Sequence, residues 1–90
     1  MFKYAFSDKL KLKISKIVKK DKKIAETIYK KIKQIVNSDE ESINRYKNLR
    51  YDLKDYKRAH IEKSFVLTFK VDIPKNFILF WDFDHHDNVY

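Results

Sequence analysis

Residues 56–83, YKRAHIEKSFVLTFKVDIPKNFILFWDF, decide the fold of this chain of 90 residues. They contain three segments rich in aromatic and β-branched residues, which are typical of strands: 56–61, 65–71 and 77–83. A tight break at Glu62 and Lys63 and a Pro-Lys-Asn turn at 74–76 separate the segments, so we predict two consecutive hairpins. The second half of the chain is therefore predicted to form an antiparallel meander.

The amino-terminal residues are predicted to add one strand and two amphipathic helices. Aromatic residues at positions 2, 4 and 6 alternate with Lys3 and Ala5, which is the period of a strand with one buried face. Ser7 offers an N-cap oxygen, and apolar residues at helical spacing predict a helix from about Asp8 to Lys19. A second helix follows, with apolar positions between 24 and 36, and ends at residues 37–38.

The polar segment between the second helix and the meander, residues 39–55, is predicted to be a loop that carries Leu49 and Leu53 inward. The order of elements is then β-α-α-β-β-β. It predicts an α+β fold in which the two amino-terminal helices pack on one face of a mainly antiparallel sheet. The length and the lack of an internal repeat favour one domain over residues 1–90.

Composition excludes several classes of function. The chain has no cysteine, which removes disulfides, thiolate catalysis and most structural zinc sites. It has no glycine either, and so no phosphate-binding glycine loop. No apolar run approaches the roughly 20 residues of a membrane span, and MFKYAF lacks the apolar region of a signal peptide. We therefore expect a soluble, cytoplasmic protein with no membrane partner.

The formal net charge of +8 favours an anionic partner. Residues 1–36 hold 12 lysines and 3 acidic residues, although a run of helical lysines can simply be a solvated face. A second basic cluster contains all three arginines of the chain, and arginine binds phosphate through two parallel hydrogen bonds. Its members are Arg45, Lys47, Arg50, Lys54, Lys57 and Arg58. This cluster is the stronger candidate for contact with a nucleic acid.

Three histidines, His60, His85 and His86, lie near the ends of predicted strands. Histidine gives or takes a proton near neutral pH because its ordinary pKa is about 6.5. A turn centred on residues 62–63 would pair His60 with Phe65, and a turn near 74–75 would pair Phe65 with residue 83 or 84. We therefore expect the histidines to meet at one end of the sheet, beside Lys57 and Arg58. A shift of one residue would send His60 to the opposite face.

Each histidine also has a structural alternative. His60 could be a hydrogen-bonded strand histidine, and His85 could support the fold or contact phosphate. Acidic residues surround the pair at 85–86 and raise the question of a divalent-metal site: Asp82, Asp84 and Asp87. Their spacing matches no strong ligand motif, and acids beside histidine commonly orient the ring. No metal and no cofactor are therefore predicted.

The chain resembles the RelE/ParE toxin superfamily, and within it the YafQ-like branch and archaeal RelE proteins. Three stretches carry the resemblance: NLRYDLKDYKRAHI at 48–61, SFVLTFKV at 64–71 and DHHDNVY at 84–90. The helical half is similar in pattern and charge. The sequence departs from the branch at Lys47, Ser64 and Val66, where relatives often carry histidine, aspartate and arginine.

The resemblance implies a ribosome-dependent mRNA endonuclease that needs no metal and uses the RNA 2′-hydroxyl as nucleophile. By match to the motifs of the branch, the catalytic residues would be His60, His86 and the terminal aromatic Tyr90. Phe65 matches an aromatic residue in the middle strand of the branch. With the cations of the basic cluster and a phosphate contact from His85, the predicted RNA-binding set is Lys47, Arg50, Lys54, Lys57, Arg58, Phe65 and His85. The implied partners are a RelB-like antitoxin in a hetero-oligomer, ribosome-bound mRNA and ribosomal RNA.

Two alternatives within the superfamily stay open. A ParE-like toxin would poison gyrase without a nucleolytic site, and a decayed toxin would only bind its antitoxin. Two titratable histidines at one sheet end favour the nuclease, because cleavage through the 2′-hydroxyl needs both a base and an acid.

Overall fold

The computed structural model describes residues 1–49 and 54–88. Its elements, in chain order, are β1 Lys3–Phe6, α1 Asp8–Lys20, α2 Lys22–Val36, α3 Glu40–Asn44, β2 Lys57–Ile61, β3 Phe65–Asp72, β4 Phe77–His85 and a 3-10 turn His86–Asn88. The strands lie in the order β1-β4-β3-β2, with β1 parallel to β4 and the other pairs antiparallel. The predicted α+β fold is confirmed. Among the described residues, no helix is both long and apolar enough to cross a membrane.

Side-chain caps start the two long helices. The Leu10 amide donates to Ser7 Oγ over 3.0 Å at the start of α1, and the Ile24 amide donates to Asp21 Oδ1 over 3.2 Å at the start of α2. Each cap satisfies an amide that would otherwise lack a partner in the first helical turn. The predicted α1 and its Ser7 cap are therefore confirmed.

Segment 39–55 differs from the predicted loop because it contains α3. Asp39 accepts a 2.7 Å hydrogen bond from the Ser42 amide, and Glu40 and Glu41 lie in the first turn, where the helix dipole favours negative charge. The chain then runs beside the free edge of β2: the Leu49 amide donates to the Tyr56 carbonyl over 2.8 Å. Leu49 is buried as predicted, whereas Leu53 lies outside the described residues.

The core lies between the helices and one face of the sheet. Its largest fully buried side chains come from α1, α2, α3 and three strands: Leu10, Ile28, Ile35, Ile43, Ile61, Leu67, Phe69, Ile78 and Phe80. The helices therefore cover this face, as the amphipathic pattern requires.

The strand register differs from the prediction at two points, each by one residue. The turn between β2 and β3 has three residues, with Glu62 at φ 55°, so Ile61 pairs with Phe65 and His60 pairs with Val66 instead. A β-bulge then interrupts the pairing of β3 with β4, because Phe69 pairs with Phe80 but Thr68 pairs with Asp82. The extra residue, Trp81, moves the partner of Phe65 from the expected 83 or 84 to His85.

Candidate functional site at one end of the sheet

The two register shifts determine which face of the sheet each histidine occupies. Residues directly opposite on neighbouring strands share a face. His60, Val66 and Asp84 form one such row, and Ile61, Phe65 and His85 form the next, on the face that packs against the helices. His60 and His85 thus lie at the same end of the sheet but on opposite faces.

No hydrogen bond or ring contact joins His60 to His85 or His86 within the parts of the chain that the structure describes. The spacing of the paired strands nevertheless places His60 near His86. With strands about 4.8 Å apart and a rise of about 3.4 Å per residue, the Cα atoms of His60 and His86 are roughly 12 Å apart. All three histidines therefore lie at one end of the sheet.

A basic groove of about 300 Å³ runs beside His60, between β2 and the segment that follows α3. Its cationic lining residues are Arg45, Lys47 and Arg58, and the exposed His60 also lines it. Arg45 pairs with Glu41 over 3.1 Å on the surface, whereas Arg58 has no acidic partner among the described residues. Guanidinium and ammonium groups in such a groove can bind a phosphate.

The Lys57 ammonium makes hydrogen bonds within the fold. It donates to the Tyr46 carbonyl over 3.2 Å and to Asn48 Oδ1 over 3.0 Å, and partial burial lowers its pKa. Asn48 in turn donates to the Lys54 carbonyl over 2.6 Å. Lys57 therefore holds the segment after α3 against β2 and shapes the groove from behind. Lys54 is exposed, and Arg50 and Tyr90 lie outside the described residues.

His85 faces an apolar cavity of about 410 Å³ between α1, the start of α2 and the sheet end. The floor contains Phe65, which stacks on Phe83 with ring centroids 5.1 Å apart and meets the His85 ring edge to face at 5.8 Å. Lys16 and Lys20 lie at the rim. One face of Phe65 is thus already covered, so this ring shapes the cavity.

His86 begins the 3-10 turn and is fixed to the end of β3. Its amide donates to the Ser64 carbonyl over 2.8 Å, and its Nδ1 lies 3.3 Å from the same oxygen. A carbonyl oxygen only accepts, so a hydrogen on Nδ1 serves this contact and leaves Nε2 as the nitrogen that can exchange a proton. Asp87 Oδ1 lies 3.3 Å from Nε2 at the surface and accepts from it when Nε2 carries a hydrogen. Nε2 of His86 is therefore placed to accept a proton and to release it.

Helix α1 supports the strand that carries these histidines. β1 pairs only with residues 77–80 of β4, so residues 81–85 have no strand neighbour on that side. Ser7 Oγ instead donates to the Trp81 carbonyl, and Lys13 Nζ donates to the Phe83 carbonyl over 3.1 Å. Side chains of α1 thus replace the missing strand.

Lys13 is the functional support that the sequence analysis missed. Its ammonium lies 2.8 Å from Asp82 and 3.5 Å from Asp84, and Lys9 reaches Asp82 at 3.1 Å. Burial lowers the pKa of Lys13, but the hydrogen bonds and charges of the two carboxylates outweigh it and raise the pKa. For Asp84, burial opposes a fall in pKa, yet hydrogen bonds from Asn88 and the His85 amide, with Lys13, lower it. The sequence does contain a signal for this contact. Lys9 and Lys13 lie one helical turn apart, and the acids Asp82 and Asp84 occupy alternate positions of a strand.

Known proteins resemble this chain in sequence and in fold. No family model matches the sequence. A Methanocaldococcus jannaschii protein named "Putative toxin RelE4" is 48% identical over 77 residues, which span 86% of this chain and 78% of that protein. An uncharacterized Methanosarcina mazei protein is 41% identical over 78 residues, covering 87% and 86% of the two chains.

Two solved structures share the fold. Escherichia coli YafQ superposes with a TM-score of 0.74 at 17% identity, covering 98% of this chain and 97% of its own. A metal-bound toxin from Helicobacter pylori superposes with a TM-score of 0.75 at 18% identity, over the full length of both chains. At these identities the likeness concerns the backbone arrangement alone.

Proposed function

Because this chain belongs to the RelE family of toxins, in the RelE/ParE superfamily, we propose that it is a ribosome-dependent mRNA endonuclease. The proposed reaction is an attack of the RNA 2′-hydroxyl on the neighbouring phosphate. This reaction needs a base for the hydroxyl, an acid for the leaving 5′-oxygen and cations for the charge on the phosphorane.

The observation that carries the proposal is the basic groove beside His60, lined by arginine and lysine, with His86 at the same end of the sheet. Cα atoms roughly 12 Å apart, by ladder spacing, leave room for two imidazoles on either side of one phosphodiester. We assign the two proton roles to His60 and His86, and phosphate binding to Arg58 with Lys47 and Lys54.

The aromatic and terminal residues complete the proposed site. Single-stranded RNA is held by stacking of splayed bases on aromatic rings and by a basic track along its backbone. Tyr90 is proposed as a catalytic or stacking ring, and Phe65 with His85 as the wall that orients a base. Arg50 and Lys57 complete the proposed RNA-binding set, Lys57 by shaping the groove.

The proposed partners follow from the family and the charge. A RelB-like acidic antitoxin in a hetero-oligomer would neutralise the basic surface, and free toxin would act in the cytoplasm on ribosome-bound mRNA and ribosomal RNA. The 12 lysines of residues 1–36 give the helical side a positive charge that suits both an acidic antitoxin and RNA.

The test is primer extension on mRNA in a purified translation system, with antitoxin-free protein. We expect cuts positioned by codon, and about 10²-fold slower cleavage by His86→Ala, the usual contribution of a general acid or base. Lys22→Ala, an exposed change at the start of α2, is the matched control and should cleave at the wild-type rate. Absence of cuts despite antitoxin binding would refute the nuclease, and gyrase-linked DNA breaks would identify a ParE-like activity instead.

A further inference from the structure

Three adjacent residues at the end of β4, His85, His86 and Asp87, bring metal-ligating atoms together. One ligand atom from each residue lies within 4.8 Å of the other two. His85 Nδ1 is 3.4 Å from Asp87 Oδ2, and His86 Nε2 is 3.3 Å from Asp87 Oδ1. The two imidazole rings are 4.9 Å apart and inclined by 38°.

These separations match the edges of a metal coordination tetrahedron. With metal–nitrogen and metal–oxygen bonds of about 2.0–2.2 Å, ligand atoms in a tetrahedral site lie about 3.3–3.5 Å apart. Each ring nitrogen already has this spacing to one oxygen of Asp87, His85 to Oδ2 and His86 to Oδ1. A single bound oxygen would require the carboxylate to turn and the two rings to approach each other.

Surrounding hydrogen bonds hold the cluster in shape. Histidine ligands usually donate their other ring N–H to a carbonyl or carboxylate, and His86 Nδ1 does this with the Ser64 carbonyl, which leaves Nε2 for an ion. Asp84 Oδ1 accepts from the His85 amide over 2.8 Å and from Asn88 Nδ2 over 3.2 Å, which closes the turn. His85 Nδ1 accepts only a long bond, 3.4 Å, from the Asp87 amide. An ion could replace that bond at little cost.

The chemistry of the donors selects the ion. Two imidazoles and one carboxylate suit Zn²⁺, Cu²⁺ or Ni²⁺, whereas Mg²⁺ and Ca²⁺ prefer oxygen ligands alone. The sequence predicted no site because the spacing fits no known motif. Successive side chains of a strand point to opposite faces, but the chain leaves the strand conformation after His85, and the rings of His85 and His86 lie 4.9 Å apart.

We propose that His85, His86 and Asp87 form a binding site for a divalent transition-metal ion, and that the bound ion inhibits the protein by occupying Nε2 of His86. The second part rests on the proposed function, because only a proton-carrying His86 would be disabled by the ion. The ion is thus a regulator and takes no part in cleavage.

The site is tested by titrating tag-free, chelator-treated protein with Zn²⁺ in a calorimeter and with Co²⁺ by absorption. We expect one ion per chain, visible Co²⁺ bands, and an affinity lowered at least about 10-fold in Asp87→Asn and His85→Gln, because each removes a ligand. His60→Gln is the matched control, a histidine change outside the cluster, and should bind like the wild type. Equal binding by wild type and Asp87→Asn, or a loss in His60→Gln, would overturn the site.

The regulatory part has a separate readout. Zn²⁺ should suppress cleavage by the wild-type protein, and excess chelator should restore it, whereas cleavage by Asp87→Asn, measured against its own metal-free rate, should resist Zn²⁺. Equal inhibition of both proteins would overturn the regulatory claim. If neither protein cleaves RNA, the nuclease fails and the regulatory claim falls with it, while the titration still decides whether the metal site exists.

Discussion

Replacing Lys13 by Met should loosen the end of β4 that carries the histidines. The methionine keeps an apolar stem but loses the 2.8 Å ion pair with Asp82, the 3.5 Å pair with Asp84 and the hydrogen bond to the Phe83 carbonyl. The three lost contacts are the only ones from Lys13 that join α1 to residues 82–84 in the described chain.

The expected loss of unfolding free energy is about 1.5–2.5 kcal/mol. A hydrogen bond to a charged group contributes about 1.5–3 kcal/mol, and the Lys13 side chain is 33% exposed, so the Asp82 pair belongs at the lower end. The Asp84 pair, whose carboxylate is 37% exposed, adds about 0–1 kcal/mol. Asp82 keeps Lys9 at 3.1 Å and is not left without a partner.

The assays are urea unfolding followed by Trp81 fluorescence and thermal unfolding followed by circular dichroism. The melting temperature should fall by roughly 6–20 °C, at about 4–8 °C per kcal/mol for a domain of this size. Lys16→Met, an exposed lysine on the same helix, is the control and should change stability by less than about 0.5 kcal/mol. The Asp82→Asn double-mutant cycle should give a coupling of about 1 kcal/mol.

Hydrogen exchange separates a local effect from a general one. Amides of residues 83–85 should exchange faster in Lys13→Met, while those of residues 77–80, which β1 pairs, should not. Because the pKa of Lys13 is raised on folding, its stabilisation is complete below the unfolded value of about 10.4 and is lost as pH rises through the folded pKa. A variant as stable as Lys16→Met, with unchanged exchange at 83–85, would refute the supporting role.

Three further outcomes are expected. Arg58→Gln should reduce the salt slope of RNA binding by about 0.7, the loss of one phosphate contact on a single strand; an unchanged slope in filter binding would assign Arg58 to the fold. Asn76, at φ 53°, should tolerate Gly but lose about 1–2 kcal/mol on change to Ala in urea unfolding, and equal stability of both variants would contradict this. Because folding lowers the pKa of Asp84, its contribution is present above about pH 3.9 and is lost as pH falls through the folded pKa, so Asp84→Asn should flatten stability against pH below 4.

Local patterns predicted the elements, because they depend on neighbours in sequence. The Ser7 cap and the apolar spacing of α1 gave its start at Asp8, and the aromatic segments gave the three strands of the meander. α3 was missed because five residues hold too few apolar positions to show a period, although its Asp39 cap was visible.

The candidate site was harder to predict, since it depends on register. One added residue in a turn or a strand has a weak local signal, yet it changes every partner beyond it. The three-residue turn at 62–64 moved His60 opposite Val66, and the bulge at Trp81 moved His85 opposite Phe65. The sequence thus located the histidines at one end of the sheet but did not assign them to faces.

Because of the bulge, the two ends of β4 can change in sequence independently of each other. Pairs from Phe69 with Phe80 to Asp72 with Phe77 precede it, so a residue inserted after Trp81 would leave them untouched. Beyond it, such an insertion would place Asp84 where His85 now meets Phe65. A single-codon gain can therefore exchange an imidazole for a carboxylate opposite Phe65 while the other half of the strand keeps its sequence and its fit.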